Sequence, residues 1–523
     1  MSSFRDRPNS GSACGNVEMP LTPHKSVAVI GGGISGLSTA WFLSKLLPKN
    51  VPITLFEASP RVGGWVQTKS FDLEDGRVCF ELGPRTLRPS GTAGKVTIDM
   101  LGRLGLLNEV IRVPKIAPAS KNRYIYLDGK LNPLPSSIWS LATSLNSSIL
   151  KGLGSLILEP FRSRRTKDLA DESVHCFLTR RFDRRLADNI ASAVFHGIYA
   201  GDIKQLSVRS TMPSLWNMES AHGSVLRGML KAAIEDPADA MLLKNMETSQ
   251  GLFATFDGTS TYSLKGGLNT IVNALMKDLD RRGSFHLQTK ASVESIAGSN
   301  DDDELIVRVD NVPTSHSHVV STLSAPDTNN LLPESMHCKE LATVQSVNVM
   351  VINLFYKNPS LVKLPGFGYL IPQSVQRAEN PEYALGVIFD SDCVPGQDTA
   401  SGTKLTVMMG GHWWTDAAAI PDTVQAIAMA RRVLERHLGI KDEPVLSNAV
   451  FQRSCIPQYT VGHHQRMEVA HWHLKERFHG RLSVLGSSYC GVGVNDVVRS
   501  ARRVATNIAE NNPITGLEAF AKI

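Results

Sequence analysis

The chain has 523 residues, 42% of them hydrophobic and 20% charged, with a net charge of +6. This composition suits two to four domains with a full core and excludes a disordered chain. No basic stripe with interleaved aromatics points to nucleic acid, and no run of eighteen apolar residues predicts a membrane-crossing helix. The seven cysteines are scattered with no C-x-x-C, which excludes a disulfide framework and a cysteine zinc site. The modest positive charge suits an anionic membrane surface or an acidic substrate.

Residues 1–24 are polar, carry Arg5, Arg7, Asp6 and Glu18, and lack an apolar centre. They read as a disordered tail, neither a secretory signal nor a good transit peptide. The most informative stretch follows. A strand over Ser26–Ile30 runs into Gly31-Gly32-Gly33-Ile34-Ser35-Gly36, a G-x-G-x-x-G, then into a helix closed by Pro48. Gly31 allows the tight turn, Gly33 lets a pyrophosphate approach the backbone, and Gly36 lets helix and strand pack closely. The helix aims free N–H groups and its positive dipole end at phosphate. A second strand, Ile53–Phe56, delivers Glu57 about twenty residues past the last glycine, where a carboxylate bonds a ribose hydroxyl. The unit therefore predicts a dinucleotide site.

Next comes Glu57-Ala58-Ser59-Pro60-Arg61-Val62-Gly63-Gly64-Trp65, with a glycine pair close behind the acid. A nicotinamide enzyme does not need that pair, whereas a flavin nucleotide gains room from it. Phe80–Arg85 reads as a strand end turning at Gly83-Pro84, Ala93–Leu106 as a helix, and Asn122–Leu134 as a hairpin turning at Asp128-Gly129. Residues 136–160 are serine- and leucine-rich, carry Trp139, and are followed by Arg162, Arg164, Arg165 and Lys167. This fits either an amphipathic patch on a membrane surface or a pair of core helices with a basic end. Helices are expected over Leu178–Ala200 and Ser224–Ile234.

Gly266-Gly267-Leu268 opens a helix running to Leu279. Ser292–Ile296 and Leu305–Val309 pair as a hairpin, and His318–Thr322 is a strand. Runs within 346–415 (NVMVINLFY, GFGYLI, YALGVIFD, KLTVMMGG) predict a large, mostly antiparallel sheet, and Val424–Leu438 a helix. Arg481–Val484 is a strand leading into a second glycine-rich loop over Gly486–Val498, with a helix from Arg499. His463, His464, His471 and His473 have no carboxylate or cysteine partners at ligand spacing, so no metal site is expected.

The two glycine loops and the Arg61-Val62-Gly63-Gly64 turn resemble the FAD-dependent amine oxidase, phytoene desaturase and protoporphyrinogen oxidase superfamily. Glu81–Pro89, Lys121–Tyr124, Pro365–Leu370, Cys455–His463 and Gly491–Asp496 together resemble the mitochondrial, oxygen-dependent protoporphyrinogen IX oxidase family, from residue 25 onward. The resemblance implies an α/β (α+β) fold: a Rossmann-type FAD domain, a mostly antiparallel-sheet substrate domain and a helical membrane-binding domain. It divides the chain into 25–118, 246–330 and 478–523 for FAD, 119–245 for the substrate hairpin and membrane helices, and 331–477 for substrate. It implies oxidation of protoporphyrinogen IX by O2 with H2O2 as product. It also implies a homodimer on the mitochondrial inner membrane facing the intermembrane space, with ferrochelatase as a partner.

Carried over by motif, the resemblance assigns non-covalent FAD to Gly31, Gly32, Gly33, Ile34, Ser35, Gly36, Glu57, Ala58, Arg61, Gly63, Gly64 and Trp65. It adds Gly83, Pro84, Arg85, Thr86 and Val293, and from the last loop Ser487, Val492, Gly493 and Val494. The substrate slot falls to Arg123, which would grip a propionate, with Gly197, Phe367, Gly368, Leu370 and Met408 as walls. No catalytic side chain beyond the flavin is expected; backbone carbonyls near Gly197 or Gly368 would ease positive charge on the oxidised macrocycle. Read without the resemblance, Arg123 is a surface ion pair and Met408 a core residue. Two alternatives share the fold: another flavin amine oxidase or desaturase, and a non-catalytic carrier that has lost its flavin contacts.

Overall fold

The structure is a computed structural model. It describes residues 24–134, 158–231 except 167, 237–299 except 245, 247 and 248, 304–414 and 420–521. Most of the serine- and leucine-rich stretch over 136–160, with Trp139 and Lys167, lies outside these residues, as does the tail over 1–23.

A five-stranded parallel sheet organises the dinucleotide end. Its spatial order is Leu482–Val484, His318–Ser321, Val27–Ile30, Ile53–Glu57 and Phe285–Thr289. Val27–Ile30 is buried on both faces, which explains its unbroken apolar run. On one face the helices Ile34–Leu46, Asn269–Leu279 and Val494–Ala509 cover it through Leu37, Leu275, Val498 and Ala505. On the other lie the helix His463–Phe478 and a three-stranded sheet of Val293–Gly298, Leu305–Val309 and Val312–His316.

The second sheet has seven strands. Their order is Leu446–Pro457, Ser346–Tyr356, Thr403–Gly410, Ala384–Phe389, Gly368–Leu370, Tyr124–Leu127 and Lys130–Pro133. It is antiparallel except where Gly368–Leu370 runs alongside Tyr124–Leu127. The hairpin turn has positive φ at both Asp128 and Gly129, the type I′ geometry that Asp-Gly favours. Helix Thr423–Leu438 packs Ala426, Ala430, Val433 and Leu434 on one face of this sheet. Asp422 caps it, accepting from Gln425 N while Gln425 Oε1 accepts from Asp422 N.

Three expected helices differ, and the one expected over Ser224–Ile234 is, among the described residues, confined to Val225–Met229. Leu178–Ala200 is not continuous: Val174–Arg181 ends at Phe182, and helical structure resumes at Arg184, running through wide turns over Leu186–Ala191 into Ser192–Tyr199. Asp183 Oδ1 accepts from Arg185 N at 2.7 Å, a local bond that competes with the helix. The last helix starts at Val494, earlier than Arg499, because Asp496 Oδ2 accepts from Gly493 N and caps it. In the helical region, Arg165 does not belong to a solvated basic flank. It lies 3.4 Å over the Trp216 ring and pairs with Glu219, beside the fully buried Arg181–Glu159 pair.

Candidate active site

The first glycine turn is wound against its own helix. Gly31 donates to Phe56 O at 2.8 Å with φ +99°, and a Cβ on Gly36 would lie 1.9 Å from Gly31 O. The second turn lies on the first: Gly63 N donates to Gly32 O at 2.7 Å. Arg61 Nη2 ties that loop by donating to Gly64 O at 2.8 Å. Glu57 accepts from Gly32 N at 2.7 Å and from Ser59 N at 2.8 Å, one bond per carboxylate oxygen. Each oxygen keeps a lone pair for a hydroxyl. Ala291 N donates to Glu57 O, so Val293, which opens its strand two residues on, starts beside the acid. Ala58, Arg61, Gly64 and Trp65 are exposed.

The far end of the chain comes to the same place. A Cβ on Gly486 would lie 3.8 Å from Ser35 Oγ and 3.4 Å from Thr322 O, and Thr322 Oγ1 donates to Ile30 O and Gly31 O. Tyr459 fixes the loop beyond: its hydroxyl donates to Ser487 O and accepts from Gly491 N at 2.9 Å. Val492 packs on the helical cluster around Tyr459, and Gly493 and Val494 begin the last helix. Two helix N-termini, at Ile34 and Val494, therefore belong to one cradle.

Gly83 runs close under Trp65, where its Cβ would meet Trp65 O at 2.1 Å, and Pro84 and Thr86 are partly buried beside it. Arg85 is buried and donates from Nη1 to Asp390 Oδ1 at 2.8 Å. Asp390 Oδ2 accepts from Thr406 Oγ1 at 2.6 Å. Arg85 Nη2 is buried without a hydrogen-bond partner.

Two of the residues expected to wall the slot, Leu370 and Met408, share a sheet face. Ile125, Leu370, Gly386, Met408 and Val351 stand in register across five strands. Leu370 and Met408 thus flank Gly386, over which Leu370 packs closely; a Cβ there would sit 2.6 Å from Tyr369 O and 3.0 Å from Leu370 Cδ2. Gly386 was missed from sequence, although a glycine inside a strand is itself a signal of close approach. Gly197 packs on the same leucine, its Cβ position 2.9 Å from Leu370 Cδ2. Gly368 has φ +130°, and its Cβ would meet Val387 O at 2.1 Å, so only glycine fits. Met408 is partly buried among Val349, Val351 and Trp413. Thr406, which Asp390 holds, is two residues from Met408 on one strand, about 7 Å along the same face. The row of wall residues therefore adjoins the Arg85 pair.

Arg123 closes one end. Phe367 N donates to Asn122 O at 2.9 Å, and the Arg123 guanidinium stands 5.8 Å from the Phe367 ring centroid. Burial, reinforced by Arg88, lowers its pKa below the usual guanidinium range. Arg123 is an exposed residue, and among the described residues it forms no ion pair.

The geometry is that of a dinucleotide-binding oxidoreductase, and the chain belongs to the flavin-containing amine oxidoreductase family, whose sequence profile matches residues 34–509. Its relatives are more particular. It is 34% identical over 499 residues to protoporphyrinogen oxidase of Schizosaccharomyces pombe, covering 92% of this chain and 98% of that one. It is 33% identical over 496 residues to the Homo sapiens protein of the same name, covering 94% and 99%. The fold is shared with a crystal structure from Exiguobacterium (TM-score 0.71, 21% identity, 93% and 99% covered). It is shared also with cyclohexylamine oxidase from Brevibacterium oxydans (TM-score 0.61, 16% identity, 93% and 99% covered).

FAD fits the residues present. A Cβ on Gly33 would meet nothing nearer than Gly64 Cα at 3.9 Å, so the two turns leave open space where a pyrophosphate belongs. The unpartnered Arg85 Nη2 supplies a buried donor for it or for the ring. Replacing Gly36 by alanine is expected to remove this site. The opposing atom is a backbone carbonyl that cannot yield as a side chain would, so the clash costs about 3 kcal/mol, the upper end for overpacking, and the purified variant should carry little flavin absorbance.

Glu81 ties the seven-stranded sheet to the helix that follows Leu268. Its carboxyl, buried, accepts from Leu268 N at 2.7 Å and from Thr68 Oγ1 at 2.8 Å, while Asn353 Nδ2 donates to its backbone oxygen. Burial pushes its pKa up to about 7, against the opposing pull of the Leu268 N–H, Thr68 and Arg85. A raised folded pKa means that its contribution is fully present below the unfolded value and is lost as pH rises through about 7. Glu81→Gln keeps an acceptor for Leu268 N and cannot ionise. Its melting temperature relative to wild type should therefore be several degrees better at about pH 8.5 than at about pH 5.5; a constant difference across that range would refute the assignment.

Proposed function

We infer that this protein is an FAD-dependent oxidase converting protoporphyrinogen IX to protoporphyrin IX, with O2 as acceptor and H2O2 as product. The observation that carries this is the identity of 33–34% with protoporphyrinogen oxidases over nearly the whole of both chains. The site agrees with it. A flat macrocycle needs a wide apolar wall, which Leu370, Gly386 and Met408 provide, and its propionate needs a cation, which Arg123 offers through a bidentate fork. FAD, bound non-covalently, supplies the two-electron acceptor. Gly197 lies in the last turn of its helix, where carbonyls are not consumed by the helix itself. They present partial negative charge to a macrocycle losing hydride.

A membrane surface is part of this reading. Leu158, Phe161, Met229 and Leu230 are 55–89% exposed, and Glu159 accepts from Val225 N and Leu226 N, which brings the two segments together. Arg162, Arg164, Arg227 and Lys231 are exposed beside them. An apolar patch with a basic rim suits the anionic interface of the mitochondrial inner membrane, on its intermembrane-space side, with the protein acting as a dimer next to ferrochelatase. No described helix is long and apolar enough to cross a membrane. The deciding experiment is to incubate the yellow protein in air with protoporphyrinogen IX and follow porphyrin fluorescence. A rate no faster than spontaneous oxidation would overturn the proposal.

A further inference from the structure

His196 is a buried imidazole and His412 a partly buried one, and the redox reading leaves both without a task. His196 Nδ1 lies 2.6 Å from Ile371 O. A carbonyl only accepts, so Nδ1 carries the hydrogen and Nε2 a lone pair. His412 Nε2 is 3.1 Å from His196 Nε2. The Gln373 amide sits 3.0 Å from the same His412 nitrogen. Both rings are held neutral: burial brings His196 down to about 3 and lowers His412 as well. The pair is braced on every side. Trp413 packs edge-on to His196 at 4.6 Å, His412 N donates to Ala200 O at 2.8 Å, and Gln373 N donates to Ser192 Oγ at 3.1 Å.

The sequence neighbours of these bonds give them meaning. His196 precedes Gly197, and Ile371 follows Leu370; Gly197 and Leu370 are the two wall residues that touch. We propose that His196 is a positioning residue for the slot: its Nδ1 bond to Ile371 O clamps Gly197 against Leu370 and so sets the width of the slot at that wall. The macrocycle part of this rests on the function proposed above; the clamp itself does not.

The test uses the FAD-loaded full chain in three forms: wild type, His196→Ala and His196→Asn. Asparagine places an N–H where Nδ1 stood and lacks Nε2. Two readouts are taken, protoporphyrin IX affinity by flavin fluorescence quenching and amide hydrogen exchange of peptides spanning 192–200 and 368–374. In His196→Ala both peptides are expected to exchange about tenfold faster, with porphyrin binding about tenfold weaker, turnover within about twofold and flavin content unchanged. His196→Asn should recover most of both. Unchanged exchange in His196→Ala, or an asparagine variant as impaired as the alanine one, overturns the clamp. A wild type that binds no porphyrin overturns the macrocycle reading instead, and the exchange data still decide the clamp.

Discussion

Replacing Arg123 by alanine is expected to raise KM for the porphyrinogen by about ten- to a hundredfold while kcat falls by less than about threefold. The size follows from losing one charge-assisted pair, about 1.5–3 kcal/mol. The split follows from geometry. Arg123 stands at the edge of the slot beside Phe367, away from the row of Leu370, Gly386 and Met408, so its grip on a propionate is the same before and during oxidation of the ring. Uniform binding of that kind appears in KM. Arg123 is exposed and forms no ion pair among the described residues, so its guanidinium is free to take a substrate carboxylate. Arg123→Ala should on that account not lower the melting temperature, and Arg123→Lys should recover only part of the affinity because an ammonium lacks the planar fork. Wild-type KM in Arg123→Ala would remove this residue from the site.

The dinucleotide end was legible because its chemistry is local. A tight turn, a close helix approach and a carboxylate at a fixed distance leave few residue choices, and Gly31, Gly36 and Glu57 stand where that logic put them. The apolar runs of the second sheet were legible for a similar reason, since strands buried in a core keep β-branched and aromatic residues together. What pairs with what was not. Leu446–Pro457, an edge strand of mixed polarity with Ser454 at φ 48° and a register shift against Val347–Val349, carries no alternation to read. Gly386 matters only through a register that places it between Leu370 and Met408. Arg85 looked like a flavin contact, and its partner Asp390, 305 residues further on, could not be seen from either motif. Resemblance supplied residue identities; tertiary structure supplied their neighbours.

That buried pair yields the largest expected stability effect. Asp390→Ala removes the only carboxylate that Arg85 touches among the described residues, and leaves a guanidinium with two buried donors unmet where one was unmet before. Stranding a buried charge costs about 3–5 kcal/mol. Thr406 Oγ1 loses its acceptor in the same step, so the sheet face carrying Met408 loosens with it. The variant is expected to unfold many degrees lower and to be purified largely without flavin. The double variant Arg85→Met with Asp390→Leu separates the two roles. Apolar side chains of similar volume refill the space with no stranded charge, so most of the thermal stability should return. Flavin affinity should not, because the donor at Nη2 is gone with the arginine. Recovery of full flavin content in the double variant would show that Arg85 serves the junction of the two sheets alone, and would leave the glycine cradle and Glu57 to hold the nucleotide unaided.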